Sequence, residues 1–265
     1  MRKTVTAGLF ATALLAAAVP VLTVTNGQPD GSGHPYVGIA IQRIPSMPGF
    51  ISICSGFALS STVFVTAAHC FDPVPDPANP VLVSFKSGPP LSLATDFTPG
   101  TFHTHPDWCP GCGPGLAGAD FHDVAVVELH APVTLGAFAQ LPSPFAVDAL
   151  PMKTPVDLVG YGTQGFIRGG GTPTEVFLFT RFFAPSQLVQ SNNVQSGEFI
   201  KLTANPAQGK GGICFGDSGG PDLLAGTATV LAINTFVTNG NCTGVTYSNR
   251  VDLPEILDFI RDFLN

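Results

Sequence analysis

Residues 216–221 read Gly-Asp-Ser-Gly-Gly-Pro, and this hexapeptide restricts the chain more than any other stretch. Three glycines and a proline frame one serine. Glycine adopts backbone angles that other residues resist, and it lets a backbone come close to a bound molecule. Ser218 is therefore expected on a tight, stiff loop with bare backbone N–H groups beside it. A nucleophilic serine needs just that: an exposed hydroxyl, and donors aimed at the charge that forms on an attacked carbonyl. The hydroxyl alone is a weak nucleophile, so a base must come from elsewhere in the chain.

Chain order narrows the search for that base. Gly216-x-Ser218-x-Gly220 also fits the nucleophile elbow of α/β-hydrolases, in which the histidine follows the serine. Here all six histidines (34, 69, 103, 105, 122 and 130) precede Ser218, so that reading fails. An Asp-His-Ser order needs an aspartate ahead of the base. Only Asp30 precedes His69, in a Gly/Pro-rich stretch near the N-terminus. The order left is His, Asp, Ser.

Two stretches supply it: Val65-Thr66-Ala67-Ala68-His69-Cys70, and Asp123-Val124-Ala125-Val126-Val127-Glu128-Leu129. Together with the hexapeptide they resemble the chymotrypsin/trypsin-like serine proteases, whose marks are TAAHC, a D-[IV]-A-[LV] strand and GDSGGP. The resemblance covers nearly the whole chain after residue 23. It extends to Val159-Gly160-Tyr161-Gly162, similar to the family's V-x-G-W-G, and to a terminal helix. It implies an all-β fold of two antiparallel six-stranded β-barrels with a C-terminal α-helix and a site in the cleft between them. The N-terminal barrel is expected at about 24–135, and the C-terminal barrel with the helix at about 136–265.

The resemblance also implies roles. His69 is the general base, Asp123 holds the imidazole in its working tautomer, and Ser218 is the nucleophile. The backbone N–H groups of Gly216 and Ser218 form the oxyanion hole. Asp120 and His122 flank the aspartate position, but the Val-Ala-Val-Val strand follows Asp123 directly. Thr235 stands where the family usually has a serine bonded to that aspartate. The implied disulfides are Cys54–Cys70 and Cys214–Cys242, each fastening a catalytic loop to a barrel.

Composition agrees with this class and excludes others. Thirty glycines and twenty-five prolines favour many turns and short strands over helical bundles. The net charge is −7, and removal of Arg2 and Lys3 with a leader takes it to −9. No basic patch is present, so nucleic acid is not an expected partner. Residues 1–23 read as a signal peptide: a positive start, an apolar run from Ala7 to Val19, and small residues at Ala16-Ala17-Ala18. The rival is an uncleaved membrane anchor, for which the run is short. A secreted, monomeric protein with no membrane attachment after leader removal follows, acting on peptides or proteins without a cofactor.

Six cysteines fit an oxidising compartment. Cys109 and Cys112 lie outside the family's marks. A local disulfide is the plain reading of this pair. A zinc site with His103 and His105, or a redox-active CxxC, are the alternatives. No metal is expected.

Specificity rests on the substrate pocket that the resemblance implies: Gly212, Ile213, Thr235, Phe236 and Val237. Members that cut after Lys or Arg carry aspartate where this chain has Gly212. No buried anion is offered to a basic side chain, and a branched Val237 wall favours small or medium apolar residues. The resemblance further implies that a new α-amino group pairs with Asp217, which makes Val24 and Asp217 the activation pair. The residue before Val24 is Thr23, so self-activation by a Lys/Arg-specific cut is closed. Either another protease frees Val24, or signal peptidase leaves a start near Val19 and the loop is ordered in another way. A different class also stays open: an exported protease-fold binding protein without efficient turnover, separable by covalent labelling with a fluorophosphonate. Peptide against ester substrates separates an esterase.

Along the chain, residues 51–67 read as a hairpin with a turn near Ser60-Ser61. Val81–Phe85 and Leu91–Phe97 read as strands, 98–122 as a long loop, and Phe177–Phe183 as a buried strand. Residues 130–155 form the crossing between lobes. The terminal helix is expected to carry Asp252 as N-cap, Glu255 as its capping-box partner and Pro254 in its first turn. Leu253, Ile256, Leu257, Ile260, Phe263 and Leu264 form its apolar stripe. His34, His122 and His130 read as surface residues.

Overall fold

A computed structural model of the chain describes residues 27–44, 46–47, 49–71, 78–89, 91–112, 120–167, 174–190 and 197–264. The leader, Val24 and the proline-rich stretch 72–77 lie outside these residues. After a short β1 (Gln28–Pro29), β-branched and aromatic residues build β2 (Val37–Arg43), β3 (Ile51–Ala58), β4 (Val63–Thr66), β5 (Val81–Ser84), β6 (Thr98–Thr104) and β7 (Ala125–Leu129). These six close into a barrel in the order β2-β3-β4-β7-β6-β5. The β3–β4 turn falls at Ser60, whose Oγ accepts the N–H groups of Thr62 and Val63.

The second barrel starts with β8 (Pro155–Gly160), while β9 (Gly165–Ile167) and β10 (Thr174–Val176) pair as a separate ribbon. It continues through β11 (Phe182–Gln190), β12 (Phe199–Ala204), β13 (Pro221–Leu224), β14 (Val230–Val237) and β15 (Gly244–Arg250). Its order is β8-β11-β12-β15-β14-β13, and β13 returns to β8 with Asp222 opposite Leu158. Closure gives every barrel strand a partner on both sides along part of its length. β1 adds outside this ring, on β11 of the second barrel.

Several local expectations are corrected. Leu91–Phe97 is a turn, not a strand: the Asp96 carboxylate accepts the Ser92 N–H at 2.7 Å, and the Asp96 N–H donates to the Ser92 carbonyl. The strand is instead Thr98–Thr104, inside the stretch expected as a loop, because β7 offers it a full ladder from Gly100↔Leu129 to Thr104↔Ala125. Of Phe177–Phe183 only the last two residues are in a strand; Phe179 lines an apolar cavity of about 260 Å³ with Ile39, Ile41 and Leu93. His34 is half-buried, 2.6 Å from Asp30 and stacked on Phe183. His122 is also half-buried, stacked on His105 with ring centroids 4.8 Å apart. His130 is exposed, as expected.

The chain ends in α1 (Pro254–Arg261), which buries Ile256, Leu257 and Ile260 in a core cluster drawn mainly from the first barrel. Phe259 and Phe263 lie against His105 and His103 of that barrel. Pro254 opens the helix, but the N-cap is Leu253, with no side-chain cap. Asp252 is buried instead: its carboxylate takes two bonds from Arg250 at 2.9 Å and the Val147 N–H at 2.8 Å. Arg250 and the Val147 N–H together occupy the carboxylate oxygens that a helix cap would need.

Candidate active site

His69 follows β4 on a 3-10 turn, Ala68–Cys70. Ala67 and Ala68 are buried, and the Cys54–Cys70 disulfide ties the turn to β3. Asp123 is 1% exposed and stands two residues before β7. Its Oδ1 accepts the His69 backbone N–H at 2.8 Å, and its Oδ2 lies 2.6 Å from His69 Nδ1. The carboxylate accepts, so Nδ1 carries the proton and Nε2 keeps its lone pair. Burial pulls the imidazole pKa down, but the charge and hydrogen bond of Asp123 outweigh it and hold the pKa above 6.5. The His69 side chain is 36% exposed, with its far edge open.

Ser218 sits half-buried on a loop bonded at every side. The Asp217 N–H donates to Cys214, the Gly219 N–H to Asn234 and the Gly220 N–H to Asp217. Gly216 and Gly219 have φ of +91° and +82°, and a Cβ on Gly219 would stand 2.1 Å from Thr66 Oγ1. Glycine is the residue that satisfies both demands. Among the described residues, the N–H groups of Gly216 and Ser218 have no acceptor. The structure brings His69 and Asp123 together; it shows no hydrogen bond between the Ser218 hydroxyl and His69.

Asp217 is fully buried, and its carboxylate accepts the Gly162 and Cys214 N–H groups, each at 2.8 Å. Burial outweighs these two bonds and pushes its pKa up to about 7. Val24, its expected partner, lies outside the described residues. Cys214 is bonded to Cys242, which joins the nucleophile loop to the turn between β14 and β15. Cys109 and Cys112 are bonded to each other, so their sulfurs are engaged. His105 is turned inward, where its Nδ1 accepts the Asp107 N–H and its Nε2 is 3.5 Å from the Glu255 carbonyl.

The residues expected to line the substrate pocket are buried or half-buried. Gly212 and Ile213 are buried, and Ile213 belongs to the core of the second barrel. A Cβ on Gly212 would lie 2.2 Å from the Ala204 Cβ and 3.3 Å from Thr246 Cγ2. Thr246 is also opposite Val237 in the β14–β15 register, so it links the expected floor to the expected wall. Phe236 stacks flat on Tyr247, 4.8 Å between centroids. The Thr235 hydroxyl bonds the Ile233 carbonyl and Asn249, not Asp123, which corrects the expected partner. Ala204 and Thr246 escaped the sequence reading because only strand register brings them to Gly212.

The family model described as Trypsin matches residues 28–260. The chain belongs to the trypsin family. Solved structures share the chymotrypsin-like fold across most of its length. HL collagenase is 17% identical with a TM-score of 0.67, covering 89% of this chain and 96% of its own. Neuropsin, a serine protease expressed in the limbic system of mouse brain, is 17% identical with a TM-score of 0.64, covering 90% and 99%. A mutant of human heparin binding protein is 19% identical with a TM-score of 0.66, covering 90% and 96%. No curated protein matches the sequence. As a trypsin-family member the chain is a serine-type endopeptidase, and its substrates are peptides or proteins. Among the described residues no helix is long and apolar enough to cross a membrane.

Proposed function

We propose that His69, Asp123 and Ser218 form the catalytic triad of a secreted endopeptidase that works through an acyl-enzyme. The observation that carries this reading is the two-point grip of Asp123 on His69, which leaves Nε2 as the free base. His69 Nε2 takes the proton as Ser218 Oγ bonds the substrate carbonyl carbon. The oxygen gains charge and is held by the Gly216 and Ser218 N–H groups. His69 then returns the proton to the leaving amine, and water releases the acyl group by the same path in reverse. Such hydrogen bonds tighten when substrate binds.

No charged side chain is among Gly212, Ala204, Thr246 and Val237, which favours small or medium apolar residues on the acyl side of the cut bond. Residues 1–23 would direct export, and a freed Val24 amine would supply Asp217 with its cation. Covalent labelling by a fluorophosphonate tests the core of the proposal: one adduct on Ser218, abolished in Ser218→Ala, is expected. An unlabelled protein without peptidase activity would instead match the binding-protein reading, which one neighbour's name brings to mind. Mass analysis of the active form reports where its N-terminus lies.

A further inference from the structure

We propose that Ser55 is a positioning residue for the oxyanion hole, a role that rests on Ser218 being the nucleophile. Ser55 lies on β3 of the first barrel and is fully buried. Its hydroxyl donates to the Gly216 carbonyl at 2.9 Å and accepts the Tyr161 N–H at 2.9 Å. Its backbone N–H donates to the Ser218 carbonyl at 2.8 Å, and its own carbonyl accepts the Thr66 hydroxyl at 2.8 Å. Every polar group of this residue is therefore bonded, and two of its bonds end on the nucleophile loop.

Those two bonds bracket the loop. The Gly216 carbonyl belongs to the peptide plane before Asp217, and the Ser218 carbonyl to the plane after Ser218. Between them lies the plane whose N–H is the Ser218 oxyanion donor. Gly216 has no side chain to resist rotation, so its carbonyl needs an outside partner. Alanine or glycine at 55 keeps the backbone bond to Ser218 and removes the bond to Gly216. The Gly216 carbonyl and the Tyr161 N–H then stay buried and unpaired, which favours a rotated loop that satisfies them. A donor that strengthens in the transition state is lost from its aim, so the chemical step suffers more than substrate binding.

The test compares the secreted wild type with Ser55→Ala, Ser55→Gly and Ser55→Thr on one peptide substrate. Ser55→Ala is expected to lower kcat about 10- to 100-fold with KM within about threefold. Fluorophosphonate labelling and affinity for a peptide boronate should fall in parallel, while affinity for the cleaved peptide product holds. Ser55→Thr, which restores a hydroxyl, should recover most of the loss. Ser186→Ala removes an equally buried hydroxyl, bonded to Thr203, and should lower the thermal midpoint without changing kcat. Wild-type kcat in Ser55→Ala, or a loss confined to KM, overturns the proposal. If the alanine variant does not fold, Ser55→Gly, which removes the same hydroxyl, decides by the same criteria. A wild type that fluorophosphonate does not label refutes the nucleophile assignment instead.

Discussion

Asp123 spends both carboxylate oxygens on His69, one on the ring and one on the backbone, so its removal frees the turn as well as the base. Ser218→Ala and His69→Ala should each lower kcat on the order of 10⁴-fold or more, and the double variant should be little worse than either. Strictly additive losses would mean that the two do not act together. His69 must be neutral to take a proton, and its pKa is held above 6.5. Activity should therefore climb with pH through a midpoint above 6.5; a flat profile from pH 5 to 8 contradicts the assignment. Gly212→Asp is expected not to create Arg specificity, because its Cβ meets Ala204 at 2.2 Å. A peptide library on that variant, paired with Gly212→Asp in an Ala204→Gly background, would show whether the obstruction is steric. The proposed triad was legible because each member sits in a short contiguous stretch. Ser55, Ala204 and Thr246 were not, since their reach depends on how β3, β12 and β15 stand against the loop that runs from Gly212 to Ser218.

At the scale of elements, the helix shows how a correct pattern misassigns a residue. The three- and four-residue spacing identified the buried face, and Ile260→Ala should cost about 2–5 kcal/mol in urea unfolding. Asp252 had the composition of a cap, yet Arg250 claims it. Asp252→Ala should then cost about 3–5 kcal/mol, since it leaves a buried guanidinium with the half-exposed Asp148 as its one carboxylate beside the Gly197 carbonyl. A loss of about 1 kcal/mol would return Asp252 to a capping role. Turn residues located the β3–β4 hairpin because Ser60 acts locally. They did not locate β6, whose Thr-Pro-Gly start reads as loop and becomes strand only because β7 pairs with it. Local chemistry is readable in sequence, and pairing across a barrel is not.

Over the whole molecule, charge inside the second barrel ties stability to pH. Asp222 is fully buried; Ser248 beside it lowers its pKa only in part and lies outside hydrogen-bond geometry, so burial pushes the pKa up to about 8. The folded state then holds its proton more tightly than the unfolded state, whose value is near 3.8. Stability from this group is greatest below that value and falls as pH rises toward about 8. Asp222→Asn should raise the thermal midpoint at pH 8 by more than at pH 5; equal shifts would show that Asp222 does not titrate in this range. The two ends of the chain raise another point. β1 lies on the second barrel, where Arg181 holds Asp30 at 2.7 Å, while α1 lies on the first. Each half thus lends an arm to the other. A cut at the exposed Gly136-Ala137 link should leave two fragments that co-elute on gel filtration. His69 and Ser218 fall in different fragments, so such a cut would make a split pair, and labelling of Ser218 would report the meeting of two separately expressed halves.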